Sequence, residues 1–105
     1  MDEYWVRCYP YEQDAAAGEM VNLRVDITNH SASKRFAVCR PILPRSWNIE
    51  VDAQSAWIPA KSDGHIIFSF TVPESAVSKR NVIPVDIIYD NRPLGQFREA
   101  MLIVK

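Results

Sequence analysis

An all-β, antiparallel sandwich of about seven strands is the fold this sequence predicts, and three observations predict it. Apolar and polar residues alternate with period two over five short segments, as half-buried strands require. Pro, Gly, Ser and Asp punctuate the intervals between them, and those intervals are too short to hold crossover helices. At 105 residues the chain has the size of one domain with one core, and no repeat, low-complexity tract or linker divides it.

The first strand is expected from Tyr4 to Tyr9, with Val6 and Cys8 on one face, Trp5 and Arg7 on the other, and Pro10 as its end. Pro10 to Glu19 reads as a connection. Met20 to Thr28 alternates most clearly, placing Val21, Leu23, Val25 and Ile27 inward. A polar turn at Asn29-His30-Ser31-Ala32-Ser33 leads to a third strand, Arg35 to Arg40, closed by Pro41 and Pro44. Trp47 to Val51 reads as a short fourth strand, and Asp52 to Gly64 as a looser passage around Trp57. His65 to Val72 turns Ile66, Phe68, Phe70 and Val72 inward. Pro73-Glu74-Ser75 opens a polar crossing with room for one helical turn. Val82 to Tyr89, a hairpin at Asp90-Asn91-Arg92, and Gln96 to Val104 complete seven strands, the number of an immunoglobulin-like sandwich.

Composition excludes several classes of function. Hydrophobic residues make up 48% and charged residues 24%, which sets the chain apart from disordered proteins. A formal net charge of -1, with both signs dispersed, gives no positive field for nucleic acid or an anionic membrane. No apolar stretch approaches the roughly 20 residues of a membrane span. The first twenty residues open with two acids and lack the uninterrupted apolar run of a signal peptide, so no targeting segment is expected there and the compartment stays open.

Nothing in the sequence assembles a catalytic constellation. His30 and His65 lack the companion ligands of a metal site, and no phosphate-binding, GxSxG or HExxH pattern occurs. No catalytic, cofactor-binding or metal-binding residue is therefore assigned. Asp86 and Asp90, or Glu12, Asp14 and Glu19, are read as solvated charge. Cys8 and Cys39 are spaced for neither zinc nor redox chemistry and read as buried or half-buried thiols, their pairing left open. Asn29-His30-Ser31 matches the glycosylation sequon.

Two surface readings remain. Trp5, Trp47 and Trp57, with Tyr4, Tyr9 and Tyr11, would stack on sugar rings if exposed, which makes carbohydrate binding the alternative function. Trp5 beside Arg7, and Phe97 beside Arg98 and Glu99, are candidate contacts for a neighbouring domain.

Four short motifs carry a family likeness. Asp26-Ile27-Thr28-Asn29, Leu43-Pro44-Arg45-Ser46-Trp47, Ile58-Pro59-Ala60 with Ser62 and Gly64, and Phe68-Ser69-Phe70-Thr71-Val72-Pro73 succeed one another. Together they resemble bacterial immunoglobulin-like accessory domains, in particular the NPCBM-associated domains of glycosidases. In that group the second motif is commonly Leu-Pro-x-Gly-Trp, and this chain has Ser46 at the glycine position. Val85-Asp86-Ile87-Ile88-Tyr89-Asp90, then Arg92-Pro93-Leu94-Gly95-Gln96 and Glu99-Ala100, look like the closing hairpin of such domains on metallo-β-lactamase-fold hydrolases. The resemblance implies a non-catalytic module excised from a longer bacterial chain, with the chemistry in its partner domain.

Overall fold

The structure, a computed structural model, describes residues 5–105. Tyr4, expected at the head of the first strand, lies outside the described residues, as does the side chain of Phe97. Eight strands are described: β1 (Val6–Tyr9), β2 (Glu12–Ala15), β3 (Met20–Asn29), β4 (Arg35–Pro41), β5 (Gln54–Ile58), β6 (Ser62–Thr71), β7 (Lys79–Tyr89) and β8 (Arg92–Val104). They form a three-stranded sheet, β1-β3-β6, and a five-stranded sheet, β2-β8-β7-β4-β5. The fold is an all-β sandwich, as the alternation predicts.

The inward faces are those read from the sequence. Val21, Leu23, Val25 and Ile27 of β3 and Ile66, Phe68 and Phe70 of β6 are buried against Ala37, Cys39, Ile83, Val85 and Ile87 of the opposite sheet. Fully burying each such side chain stabilises the fold by about 1.5–3 kcal/mol relative to exposure. The hairpin at Asp90-Asn91 also forms. Both residues have positive φ, the geometry of the two-residue turn that matches strand twist, and Asn and Asp tolerate it best after glycine.

Four expectations are corrected. The Pro10–Glu19 connection contains β2, which pairs parallel to β8, so the sandwich is not wholly antiparallel. The chain leaves β1 in one sheet, passes the cis Tyr9-Pro10 bond and enters β2 in the other. Trp47 to Val51 is not a strand: Arg45–Trp47 makes a single 3-10 turn closed by Asn48 at φ 55°, a left-handed conformation that breaks extended pairing. The passage after Asp52 holds the edge strand β5, and β6 begins at Ser62 rather than His65. The segment after Pro73 is a tight turn, Ala76 N–H to Pro73 C=O at 3.0 Å, without a helix.

One buried polar side chain ties the two sheets together. Asn29, at the end of β3 and 1% exposed, donates through Nδ2 to the carbonyls of Ser33 (2.8 Å), Ile58 (3.0 Å) and Pro59 (3.2 Å). Its Oδ1 accepts from the Ser31 amide (2.9 Å) and hydroxyl (2.7 Å). The sequon at Asn29 is thus inaccessible: a glycan on Nδ2, which is buried among the carbonyls of Ser33, Ile58 and Pro59, would take one of its two hydrogens and push apart the strands that hold it. Asn29→Ala is expected to destabilise the domain by about 2–3 kcal/mol, since it strands buried carbonyls as well as losing bonds. Asn29→Asp, nearly the same shape, should be at least as destabilising at neutral pH, because a carboxylate would face those carbonyls. Urea denaturation of both variants measures this, and near-wild-type stability in either would show that the amide is not a clamp.

Candidate functional site

The outer face of the five-stranded sheet carries a local apolar patch. On β5 Trp57 stands opposite Phe36 of β4, and Val38 of β4 stands opposite Ile88 of β7, which in turn faces Pro93 of β8. Trp57 is 58% exposed and Ile88 39%, while Phe36 and Val38 are half-buried between them. The Phe36 and Trp57 rings lie 4.9 Å apart at 52°, a tilted contact that holds the indole upright. Lys34 Nζ sits 4.8 Å over the Trp57 ring. The next row toward the middle of the sheet is polar, with Arg40 opposite Asp86 and Asp86 opposite Gln96. An aromatic anchor with aliphatic neighbours and a charged rim is the make-up of a protein-contact surface.

Of the residues named from the sequence, this patch takes only Trp57. Trp47 is 8% exposed and belongs to the core, so it presents no ring to a ligand. Trp5 is half-buried, its ring 4.8 Å from that of Tyr89. Arg7 is exposed on β1, in the other sheet. The three tryptophans therefore share no platform. Phe36, Val38 and Ile88 escaped the sequence reading, although Phe36-Ala37-Val38-Cys39 and Ile87-Ile88 break the alternation with apolar residues on both faces, which is the available signal.

The outer face of the three-stranded sheet is mostly polar, with Tyr9, Met20 and Ile67 exposed on it, and most of its polar side chains pair with one another. Asp26 forms an ion pair with Arg24, whose Nε lies 2.7 Å from Oδ1 and whose Nη2 donates to Oδ2 at 3.1 Å, and the Asp26 Oδ1 lies 2.8 Å from His65 Nδ1. Arg24 also lies over the exposed Tyr9 ring, 4.7 Å from its centroid. Ser69 donates to Asn22 Oδ1 (2.6 Å) and Thr28 to Asp63 Oδ1 (2.7 Å). The hydroxyls beside the His65–Asp26 pair thus donate to neighbouring side chains rather than to the imidazole. Among the described residues no group of three His, Cys, Asp or Glu side chains could hold a metal ion.

Between β1 and β8 the sandwich opens into a cleft of about 560 Å³ lined by Val6, Arg7, Cys8, Tyr11, Arg98 and Glu99. Arg98 Nε crosses it to donate to the Val6 carbonyl at 2.9 Å. Cys8 and Cys39 are both free thiols. Burial pushes Cys8 up to about 11 against a smaller lowering by Arg98, and pushes Cys39 up to about 12, with Cys8 adding to the effect across the sandwich.

Comparison with known proteins identifies the architecture alone. No family model matches the chain, and no curated protein does. Among solved structures it is similar to the CupB2 chaperone of Pseudomonas aeruginosa, with TM-score 0.56 and 12% identity over 94% of this chain and 54% of that one. It is also similar to WR4, an MSP family member of C. elegans (0.53, 12%, 95% of both chains). A third is the β-glucosidase of Listeria innocua, solved with glucose (0.55, 12%, 94% of this chain and 15% of that one). The chain thus spans about half of the chaperone and a small part of the glucosidase.

The raised thiols give a direct test of core integrity. A rise from 9.0 to about 11 lowers the thiolate fraction of Cys8 about 100-fold at neutral pH, so a thiol-specific disulfide reagent should label it at least that much more slowly in the native state than in urea. Cys39 should react more slowly still. The sign for stability follows: the unfolded thiol ionises near 9.0 while the folded Cys8 holds its proton to about 11, so its share of stability is full below pH 9 and lost by about pH 11. Cys8→Ser should flatten the fall in melting temperature over that interval. Rapid native labelling of Cys8 at neutral pH would contradict the burial.

Proposed function

We propose that this chain is a non-catalytic accessory or interaction module, the carboxy-terminal part of a larger bacterial hydrolase, which docks against that chain's catalytic domain or against another protein. The observation that carries this reading is the patch of Trp57, Phe36, Val38 and Ile88: apolar side chains gathered on an outer sheet face and bordered by Lys34, Arg40 and Asp86. Burying such a patch removes apolar surface from water, and a tryptophan at its centre is the side chain that most often dominates an interface. A sandwich of this outline also forms a small share of the much longer β-glucosidase, so the fold is compatible with life inside a larger enzyme. Carbohydrate recognition is the second reading, favoured by the single exposed Trp57 ring, on which one sugar could stack.

An antibody to this domain should detect, in its source cells, a polypeptide much heavier than 12.0 kDa. In that native chain Trp57→Ser should leave the β-sheet circular dichroism unchanged and speed proteolysis of the junction beside the module at least several-fold. A free 12.0 kDa product overturns the accessory reading, and an unchanged cleavage rate overturns the patch as its docking surface. Quenching of Trp57 fluorescence by oligosaccharides, abolished in Trp57→Ser, would instead establish the second reading.

A further inference from the structure

Four strands end the two sheets, and three of them are guarded. β1 has four residues and stops at Pro10. β2 has four residues and carries Glu12 and Asp14, which pair with Arg80 (3.1 Å) and Lys105 (3.8 Å). β5 has five residues, is followed by Pro59, and bears the bulky Trp57 with Lys34 across it. Short edges, charge and proline are the devices by which sheets avoid further pairing. β6 is the least guarded: it runs for ten residues, Ser62–Thr71, without proline, lysine or arginine, its one carboxylate, Asp63, stands near one end, and it keeps unbroken register with β3.

The ladder phase fixes which groups β6 leaves unpaired. Thr28 donates its amide to the Trp5 carbonyl, on the β1 side of β3, so Val21, Leu23, Val25 and Ile27 turn their backbone groups toward β6. At the other end Val72 donates to the Glu19 carbonyl, which gives the same phase. Gly64, Ile66, Phe68 and Phe70 therefore bond to β3, whereas Asp63, His65, Ile67, Ser69 and Thr71 point their N–H and C=O groups away from the sheet.

We propose that β6 is a homotypic docking edge, on which β6 of a second copy of this chain pairs antiparallel about a two-fold axis at Ile67. That register is the one in which all five outward residues find partners: Ile67 meets Ile67 of the second copy, His65 meets Ser69, and Asp63 meets Thr71. Five hydrogen-bonded pairs of two bonds each join two three-stranded sheets into one of six strands. Side-chain chemistry agrees with this occupant. Ile67, 62% exposed, gains an apolar partner at the axis, and no like charges stand directly opposite one another. An unrelated extended peptide would meet the same backbone, whereas a second copy brings a strand of equal length with Ile67 opposite Ile67.

Sedimentation equilibrium of the chain across a dilution series tests the proposal, together with amide hydrogen exchange. The expected result is a species of twice 12.0 kDa that dissociates on dilution, with the His65, Ile67 and Ser69 amides protected in the dimer and several-fold faster in the monomer, while Ile66 and Phe68 stay protected throughout. Ile67→Pro removes an outward amide without touching the β3 ladder, so it should abolish the dimer and keep the fold. A monomer at all concentrations overturns the proposal, as does a dimer in which those three amides exchange freely. Should Ile67→Pro unfold, the wild-type exchange pattern decides alone. Trp57→Ser should leave the dimer intact, which separates this edge from the docking patch.

Discussion

The two sheets must meet in a fixed register where β3, β4, β5 and β6 converge, and one buried amide sets it. Asn29 ends β3 in the three-stranded sheet, yet two of its acceptors, Ile58 and Pro59, lie at the end of β5 in the five-stranded sheet. A hydrophobic interface alone is non-directional and would tolerate sliding, whereas a side chain with five partners at 2.7–3.2 Å would not. The bond to Ser33 orders the β3–β4 loop at the same point. Gly64 completes the constraint: a Cβ there would collide with the side chain of Ile58, which is fully buried, so β6 can approach β5 only because residue 64 has no side chain.

Once register is set, the two outward faces follow from alternation and differ in kind. On β3 and β6 every second residue is polar or exposed, and most of the polar groups pair with one another through Asp26, Asn22 and Asp63. On β4 and β7 the outward positions hold Phe36, Val38, Val82, Pro84 and Ile88 beside the polar pair Arg40 and Asp86. Water solvates the first face at little cost, whereas the second leaves apolar surface that folding of this chain does not cover. The asymmetry, rather than any titratable group, is what distinguishes one side of the molecule from the other.

The legible part of the fold was the part in which one face is wet. Val21, Leu23, Val25 and Ile27 alternate with Asn, Arg and Asp, so pattern and burial coincide. β2 was illegible because Glu12-Gln13-Asp14-Ala15 has no strand-forming residue: it is extended because the free edge of β8 offers hydrogen bonds, a tertiary cause that composition does not carry. Trp47-Asn48-Ile49-Glu50-Val51 deceived in the opposite sense. It alternates well, but Asn48 adopts the left-handed conformation and Trp47 is drawn into the core. For the candidate surface, the sequence pointed to Trp57 by residue type alone. Its neighbours are set by strand register, Phe36 across one ladder and Ile88 across the next, which no single segment encodes.

The molecule therefore separates two kinds of association in space. An apolar patch on the five-stranded sheet suits a partner whose surface is shaped to receive Trp57, and its specificity would come from side chains. The β6 edge lies on the other sheet and offers backbone groups, for which specificity must come from register. Ile67 supplies that register, since shifting the second copy by two residues would set Ile67 against a polar neighbour and leave outward amides unmatched at both ends. A module built in this way can pair with itself without covering the surface through which it would hold a larger partner.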